Sequence, residues 1–501
     1  MNIFSQLLGA SRTDTPAILG SPDVATLGDV LRDAEALAKA LRSVGLQPNE
    51  PVGLWLPMSR ALVASVLGVR SVGCVYSVFG IRATSFELSR DLAQLGCRFV
   101  VTTASIASRV DGLALAQQGT WGDCVIVAPQ LTVAPSRFSS HDACVIFTSG
   151  STARPKGVVL TDSCISSNAY GVGDFTCLSA RDRSVVFTPP QFAFAQSQIL
   201  SHLVARAPFL PWPSGVGPHD HLWRSLKDAD ATGVSANPSS FELLLNAAGR
   251  GAALATLRYV VSAGQPLLSS AVGRLRVAFP NARIASCFGC TENTLRATYY
   301  WVPGHENVLP TVLPVGRPIR GTSVSIVDEH GTDLPPMAHG VVRISGQSLM
   351  RGYMDLLRDG DDAVSFFDTD DLGYIDVFGD LHLTGRVSAR LNVGNEKVSP
   401  EEVESVIASV DGVLECAVGP LKDELLGEVP AAMLVLTDIS GPEDVTRAAQ
   451  MACERLLSRA KRPKYFFLVE RSTIPRTEYG KLSRRQLPGV LAALKDVRAK
   501  S

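Results

Sequence analysis

The chain has 501 residues, of which 46% are hydrophobic and 19% charged, and its formal net charge at pH 7 is -1. This length exceeds what one hydrophobic core usually organises and predicts at least two domains. The near-zero charge gives no reason to expect nucleic acid or an acidic membrane surface as a partner. Ten cysteines are too dilute for a disulfide scaffold, so we expect reduced thiols.

The N-terminus lacks a basic region followed by a hydrophobic signal core. The most apolar stretch, residues 61–80, is interrupted by Arg70, which argues against a membrane span. These features predict a cytoplasmic protein with no membrane partner, and they favour a small molecule as the substrate.

Helical periods alternate with short apolar runs along the first part of the chain. Thr26 is placed to cap a helix that Gly45 ends, and a strand over residues 52–56 follows. The alternation continues through residues 185–187 and 259–261, which predicts layered α/β subdomains.

The segment 147–158 is the most informative stretch. An apolar run, residues 144–147, predicts a buried strand, and the loop after it holds glycines, hydroxyls and Lys156. Backbone N–H groups, hydroxyls and a mobile ammonium are the chemistry of a phosphate site. A Walker loop is excluded because Lys156 precedes Gly157 and no Ser or Thr follows it. By composition alone, an ordinary turn remains the alternative interpretation.

This segment resembles the signature loop of the adenylate-forming superfamily, which joins acyl- and aryl-CoA synthetases, nonribosomal peptide adenylation domains and luciferase-like enzymes. Further segments resemble the family's later motifs in the same order, namely residues 287–292, 367–374, 385–386 and 475–482. The resemblance implies an α/β fold with a large N-terminal domain of layered α/β subdomains, residues 1–386. A small, mobile α+β lid, residues 387–501, would follow it.

The pattern of the last part of the chain agrees with such a lid. Ser399 and Glu402 form a capping-box pattern with proline between them, which predicts a helix through about Val410. Strands near residues 414–418 and 431–436 and a helix over about 442–459 follow. The last loop carries Lys481.

The resemblance assigns ATP and Mg²⁺ as cofactors and gives the motif residues their roles. Lys481 would stabilise the transition state as a carboxylate attacks the α-phosphorus, and Lys156 would hold the departing pyrophosphate. Glu292 would position the metal, because a hard cation prefers oxygen ligands. The resemblance also names the remaining nucleotide-binding residues. They would be Thr148, Ser149, Gly150, Ser151, Thr152 and Thr291 for the phosphates, Phe288 for adenine, Asp371 and Arg386 for the ribose, and Gly264, Cys287 and Gly289 around them.

The acyl pocket is expected near residues 188–196, where amino-acid-activating members of the family place an aspartate. No acid occurs there in this chain, which argues against an α-amino acid substrate. The residues expected to line the pocket are Phe192, Phe194, Asn237 and Ala263. They favour an aryl, arylacrylic or apolar carboxylic acid, with core packing as the alternative role of the two phenylalanines.

Cys287 and Cys290 form a CxxC pair. No second CxxC and no suitably spaced histidine completes a tetrahedral metal site, so the sequence favours packing around the nucleotide over zinc or redox chemistry.

The resemblance implies formation of an acyl adenylate with release of pyrophosphate, followed by transfer of the acyl group to CoA. Two departures from the family pattern bear on the second step: Ala389 stands at the hinge position, usually Asp or Lys, and Asn392 where lysine is common. Transfer to a carrier protein, an amine or another small nucleophile is therefore the alternative. A nucleotide-binding module that has lost catalysis is the third interpretation.

Overall fold

The computed structural model describes residues 2–11, 13–20, 24–108, 115–130, 137–148, 155–212, 219–249, 252–304, 308–357, 363–393, 396–423, 426–437, 441–476 and 482–500. The described helices are α1 (Ile3–Leu8), α2 (Leu27–Ser43), α3 (Arg60–Ser71), α4 (Ser85–Leu95), α5 (Ala104–Ala107), α6 (Asp162–Thr176), α7 (Ala193–Ala205), α8 (His219–Asp228), α9 (Pro238–Ala248), α10 (Ser269–Ala278), α11 (Pro400–Ala408), α12 (Pro442–Leu456) and α13 (Leu487–Lys500).

The described strands are β1 (Pro16–Ile18), β2 (Ala25–Thr26), β3 (Pro51–Trp55), β4 (Val75–Val78), β5 (Phe99–Thr103), β6 (Leu115–Trp121), β7 (Cys124–Pro129), β8 (Asp142–Thr148), β9 (Lys156–Thr161), β10 (Ser184–Val186), β11 (Phe209–Pro211), β12 (Gly233–Ala236), β13 (Tyr259–Ala263), β14 (Arg283–Phe288), β15 (Thr298–Trp301), β16 (Arg317–Pro318), β17 (Thr322–Val327), β18 (Gly340–Gly346), β19 (Gly352–Tyr353), β20 (Phe366–Ile375), β21 (Leu381–Arg386), β22 (Leu391–Val393), β23 (Glu396–Val398), β24 (Val413–Asp423), β25 (Gly427–Leu436) and β26 (Tyr465–Leu468).

The first sheet has the strand order β19-β9-β8-β4-β3-β5-β7-β6. Its central strands β8, β4, β3 and β5 run parallel, and every residue of β3 and β4 is buried. Burial on both faces explains why these strands appear in the sequence as continuous apolar runs. Helix α2 packs against α3 beside this sheet, and Thr26 and Asp29 form a reciprocal capping box at its start, which confirms the predicted cap.

The second sheet has the order β16-β15-β14-β13-β12-β10-β11-β1-β2. Strands β10, β12, β13 and β14 are neighbours and run parallel, so their carboxyl ends lie along one edge. Ligands of open α/β sheets bind at such an edge, because the loops that leave it converge there. This edge is where the acyl and nucleotide predictions fall.

Two smaller sheets complete the chain. Strands β17, β18, β20 and β21 form an antiparallel sheet in which Asp371 lies directly opposite Arg386. Beyond β21, the C-terminal sheet has the order β23-β22-β25-β24, with β26 paired to β25, and α11 and α13 pack against β24. This is the small α+β unit that the sequence predicted, and its boundary at residue 386 stays a prediction.

The capping box predicted at the start of α11 is wrong. Ser399 makes no side-chain cap bond, and its hydroxyl lies 2.8 Å from the Thr384 carbonyl oxygen and 2.9 Å from Glu401 Oε2. Gly385, at φ +145°, allows this approach, since a Cβ there would lie 2.0 Å from Ser399 Oγ. The contact with the preceding sheet therefore replaces the local cap that the sequence pattern favours.

Two largely buried ion pairs lie beside the strands around the predicted phosphate loop. Arg70 pairs with Asp162 after β9 at 2.7 Å, and Arg351 pairs with Asp142 of β8 at 2.6 Å. Asp142 is fully buried, and Arg351 directly precedes β19. The second pair therefore attaches residues 351–353 to the strand that leads into the loop.

None of the helices in the described ranges has both the length and the apolar character that crossing a membrane requires.

Replacing Arg351 by methionine is expected to destabilise the large domain. The Asp142 carboxylate would lose its cation while remaining buried, and breaking a buried pair costs about 3–5 kcal/mol. Urea unfolding followed by tryptophan fluorescence measures this, because all five tryptophans precede residue 386. Arg343→Met is the matched control, since its partner Asp368 is 41% exposed and the loss should stay below about 1 kcal/mol. Equal losses in the two variants would contradict the assignment.

Candidate active site

The centre of the predicted phosphate loop, with Ser149, Gly150, Ser151 and Thr152, lies outside the described residues. Both ends of the loop are described. Thr148 ends β8 and Lys156 begins β9, and the two residues are direct partners in the antiparallel pairing of these strands. The strands therefore bring both ends of the loop together and leave the Lys156 side chain exposed.

Tyr353 connects Lys156 to Glu292. The Lys156 Nζ lies 4.9 Å from the centroid of the Tyr353 ring, and the Tyr353 hydroxyl donates to Glu292 Oε1 at 2.9 Å. Burial, followed by the nearby charge of Glu292, raises the pKa of Tyr353, so the hydroxyl stays protonated as a donor. The structure thus brings two predicted catalytic residues to one tyrosine, with Lys156 at its ring and Glu292 at its hydroxyl.

Tyr353 is the site residue that sequence reasoning missed. Strand pairing of Tyr353 with Val158 places it beside the start of β9. Gly352 and Tyr353 are adjacent in the sequence, but only the pairing of β19 with β9 shows which residues the ring touches.

Glu292 is held by a compact turn after β14. It sits in a 3₁₀ turn, Thr291–Asn293, and its carbonyl oxygen accepts the Met350 N–H at 2.7 Å. The turn folds back so closely that a Cβ on Gly289 would lie 1.8 Å from the Leu295 carbonyl oxygen. Only glycine fits at this position, which explains the glycine of the motif in steric terms.

Asp371 and Arg386, the predicted ribose residues, contact each other. The Arg386 Nε donates to Asp371 Oδ1 at 3.0 Å, and Asp371 is only 9% exposed. Burial raises the pKa of Asp371, and the Arg386 charge opposes that effect. A buried carboxylate with an exposed guanidinium beside it is an arrangement that can accept hydrogen bonds from a sugar diol.

Cys290 lies near both Glu292 and Asp371. Burial raises the pKa of its thiol, and the charges of Glu292 and Asp371 raise it further. Within the described ranges no group of three potential metal-ligating side chains includes Cys287 or Cys290. Cys287 is buried in β14, where its Cα pairs with that of Ala263.

The predicted adenine ring partner, Phe288, is packed into the core. It is 7% exposed and belongs to an apolar cluster with Ala297 and Val315. Thr291 begins the 3₁₀ turn at the same sheet edge, and Gly264 follows β13 with φ +84°. The stacking role of Phe288 stays a prediction.

Only some of the residues predicted for the acyl pocket lie close together in the structure. Phe194 of α7 packs in one cluster with Ala263 and Cys287, and Phe192 is the residue at the start of that helix. Asn237 follows β12, but its Oδ1 accepts the Ser240 N–H at 2.7 Å and caps α9. The structure therefore joins Phe194 and Ala263 and gives Asn237 a local structural contact.

Lys481 lies outside the described residues, while both flanks of its loop are fixed. Arg476 and Leu482 form an antiparallel bridge, and the Ser483 N–H donates to the Pro475 carbonyl at 2.8 Å. Arg484 pairs with Glu404 of α11 at 2.7 Å. These contacts tie the two ends of the loop to each other and its C-terminal end to α11.

Comparison with known proteins decides the family. The sequence model described as AMP-binding enzyme matches residues 8–354, and that of the AMP-binding enzyme C-terminal domain matches residues 402–481. The chain belongs to the AMP-binding enzyme family. The predicted superfamily, the α/β fold with a small C-terminal unit and the class of AMP-forming acid ligase are thereby confirmed, and the protein carries out ATP-dependent acyl adenylation.

The individual relatives share only a low sequence identity with this chain. The chain is 27% identical to the sulfoacetate–CoA ligase of Cupriavidus necator over 95% of this chain and 94% of that protein. It is also 27% identical to phenyloxazoline synthase MbtB of Mycobacterium tuberculosis, over 96% of this chain but 34% of the relative. The crystal structure of ATP-bound MatB from Rhodopseudomonas palustris superposes with a TM-score of 0.82 at 23% identity, covering 97% of this chain and 98% of MatB.

Removal of the Tyr353 hydroxyl is expected to weaken use of ATP in this AMP-binding enzyme without unfolding it. Tyr353→Phe keeps the ring beside Lys156 and takes one donor from the Glu292 carboxylate. A hydrogen bond to a charged group contributes about 1.5–3 kcal/mol, so kcat/KM for ATP should fall about tenfold or more. Pyrophosphate-release kinetics with varied ATP give the value. Tyr465→Phe, in the C-terminal sheet, is the control, and an equal loss there would contradict the assignment.

The Asp371 carboxylate is expected to destabilise the fold at neutral pH. Because its folded pKa is raised above the ordinary value, its contribution to stability is full in acid and is lost as pH rises through the folded pKa. Asp371→Asn removes the ionisable group. The melting temperature of this variant minus that of the wild type should therefore increase as the pH is raised from about 4 to about 7.

Asp328→Asn provides a control of opposite sign, because hydrogen bonds led by the Thr332 N–H lower the pKa of Asp328. The melting temperature of Asp328→Asn relative to wild type should decrease as pH rises from about 2 to about 5. Thermal unfolding at several pH values tests both, and a relative melting temperature of Asp371→Asn that decreases with pH would refute the assignment.

Proposed function

We propose that this enzyme activates an aryl, arylacrylic or apolar carboxylic acid and transfers the acyl group to CoA. The observation that carries the proposal is the contact series from Lys156 through Tyr353 to Glu292. A cation and a carboxylate near the described end of a loop rich in hydroxyls and glycines support binding of a metal-bound triphosphate.

In the proposed first step a carboxylate oxygen of the acid attacks the α-phosphorus of ATP. The new acyl–phosphate bond forms as the bond between the α-phosphorus and the bridging oxygen breaks, and pyrophosphate leaves. Lys156 faces the leaving phosphates, and Lys481 stabilises the charge that develops where the two anions meet. Positioning and electrostatics are the main contributions of the protein to such a reaction.

Glu292 is the proposed metal-positioning residue. Its half-buried carboxylate is oriented by Tyr353 and by the Met350 N–H on its own carbonyl. A carboxylate oxygen fits Mg²⁺, which when bound would neutralise charge on the phosphates. The other proposed roles follow the motifs: Thr148 with the loop hydroxyls for phosphate, Phe288 for adenine, and Asp371 with Arg386 for the ribose.

The edge of the second sheet supports the assignment of the acyl site. The segments that follow β10, β12, β13 and β14 carry Phe192, Asn237, Gly264 and Gly289, and parallel pairing sets these segments side by side. Phe194 and Ala263 contribute apolar surface at the same edge. An apolar wall with few acids suits a flat or aliphatic acyl group better than an α-amino acid.

CoA is the favoured acceptor because a CoA ligase, the sulfoacetate enzyme, aligns with nearly the whole chain. A carrier protein, an amine or another small nucleophile is the alternative. Two observations favour that alternative. The chain also aligns, over 96% of its length, with 34% of the longer phenyloxazoline synthase MbtB. In addition, Ala389 stands at the hinge position, usually Asp or Lys, and Asn392 stands where a lysine is common. Asn392 is exposed in β22, and its N–H donates to Glu428 at 2.8 Å.

Product analysis is the direct test. The protein is incubated with ATP, magnesium and a panel of aromatic and aliphatic acids, with and without CoA, and both pyrophosphate and product masses are measured. We expect pyrophosphate with at least one aryl or apolar acid, and a thioester only when CoA is present. Adenylate without thioester would support the alternative acceptor, and absence of pyrophosphate with every acid would contradict the proposal.

Lys481→Ala serves as the matched inactive variant in the same assay. Loss of the ammonium should reduce adenylate formation at least about a hundredfold, a barrier increase of roughly 3 kcal/mol. Normal adenylation by this variant would refute the role of Lys481 and leave the reaction itself standing.

A further inference from the structure

Arg296 is a buried cation behind the acyl site. Its side chain is among the largest fully buried ones of the described chain, with 1% of the residue exposed. Its guanidinium carbon lies 4.4 Å from the centroid of the Phe194 ring, and its Nη1 donates to Ser197 Oγ at 2.9 Å. Both neighbours belong to α7, the helix that bounds the predicted acyl pocket.

The guanidinium is incompletely paired. Its Nε is buried and has no hydrogen-bond acceptor in the described structure. The titratable neighbours that affect its charge are Cys287 and Tyr259, both buried and both neutral in their ordinary protonated forms. Burying an ionised group without an anion is unfavourable, because the group loses hydration that nothing replaces.

The other buried arginines of the described chain are each paired with a carboxylate. Three arginines of the described ranges are buried, namely Arg70, Arg296 and Arg351. Arg70 pairs with Asp162 and Arg351 with Asp142, each at hydrogen-bond distance. Arg296 alone of the three forms no ion pair with a described Asp or Glu, although it is the most buried.

Arg296 nevertheless stays charged. Burial lowers its pKa to about 10, which leaves the guanidinium protonated at neutral pH. Stacking on Phe194 and the bond to Ser197 compensate for part of the lost hydration. A positive charge is therefore fixed in a buried surrounding, where an anion would be bound strongly.

The backbone conformation of residues 294–296 directs the Arg296 side chain toward α7. Thr294 and Leu295 have positive φ values of 62° and 95°, and such conformations are unfavourable for a branched side chain. The Asn168 Nδ2 donates to the Arg296 carbonyl at 2.9 Å, and Asn168 Oδ1 accepts from Ser197. The side chain is thus held toward α7, near Cys287 of β14 and Tyr259 of β13.

We propose that Arg296 pairs with a second anionic group, a carboxylate or a sulfonate, on the acid that the enzyme activates. The inference rests on the proposed function, since it takes the pocket beside Phe194 and Ala263 as the acyl site. The reacting carboxylate would face the nucleotide, and the second anion would lie at the closed end of the pocket. Arg296 would then determine specificity without touching the reacting atoms.

Direct binding in the absence of ATP tests this inference independently of adenylation. Isothermal titration would compare two matched sets: terephthalate and 4-sulfobenzoate against 4-carbamoylbenzoate, and succinate against succinamate. In at least one set we expect the dianion to bind at least thirtyfold more tightly than its uncharged-end analogue. The sulfonate arm distinguishes a general anion site from one fitted to a carboxylate. Equal affinities within both sets would overturn the proposal.

Variants separate recognition from structural support. Arg296→Met removes the charge at similar volume and should abolish the preference for the dianion, while Arg296→Lys should keep part of it. Arg206→Met, at the end of the same helix, is the matched control and should keep the full preference. A preference for the dianion that survives in Arg296→Met would overturn the proposal.

The melting temperature of the ligand-free variant gives a second readout. An unpaired buried charge replaced by an apolar side chain should leave the melting temperature unchanged or higher, unlike Arg351→Met. A large decrease for Arg296→Met would show that the arginine has a structural role. Pyrophosphate release without any preference for the dianion would leave the proposed function intact and refute this inference alone.

Discussion

The tight turn after β14 is the constraint on which the rest of the site depends. The Leu295 carbonyl occupies the space that a Cβ of residue 289 would need, so the chain can fold back only over glycine. This single steric condition sends Glu292 toward Tyr353 on one side and Arg296 toward α7 on the other. One short segment therefore supplies a carboxylate to the nucleotide side and a cation to the acyl side.

Charged side chains that support the fold are paired differently from those at the candidate active site. Buried arginine–carboxylate pairs join strands, as Arg351 and Asp142 do, and these pairs fix the elements that carry the phosphate loop. Groups at the site are less fully neutralised: Lys156 is exposed, and the Arg386 side chain remains mostly exposed beside Asp371. Incomplete pairing within a rigid surrounding is what allows such groups to interact with a charged ligand instead of with each other.

Much of the site could be predicted from the sequence because the residues of each motif are close together in the chain. Several of these motifs also come directly after a predicted strand. The strand that leads into the phosphate loop, the cap of α2 and the order of the motifs depend on local patterns, and the structure bears out the first two. The capping box at Ser399 failed for the opposite reason: the Thr384 carbonyl, distant in sequence, competes for the hydroxyl. Asn237 likewise caps α9, a role that its polar character alone did not reveal.

The sequence by itself determined the family, the reaction class and the chemical character of the phosphate loop, since these depend on which residues occur and in what order. Only the tertiary structure decided that Tyr353 joins Lys156 to Glu292, and that Arg296 lies against Phe194 without a carboxylate partner among the described residues. Such contacts join residues of separate strands and helices. Sheet pairing and the path of one turn set the distances between them, and periodicity and composition carry no information about either.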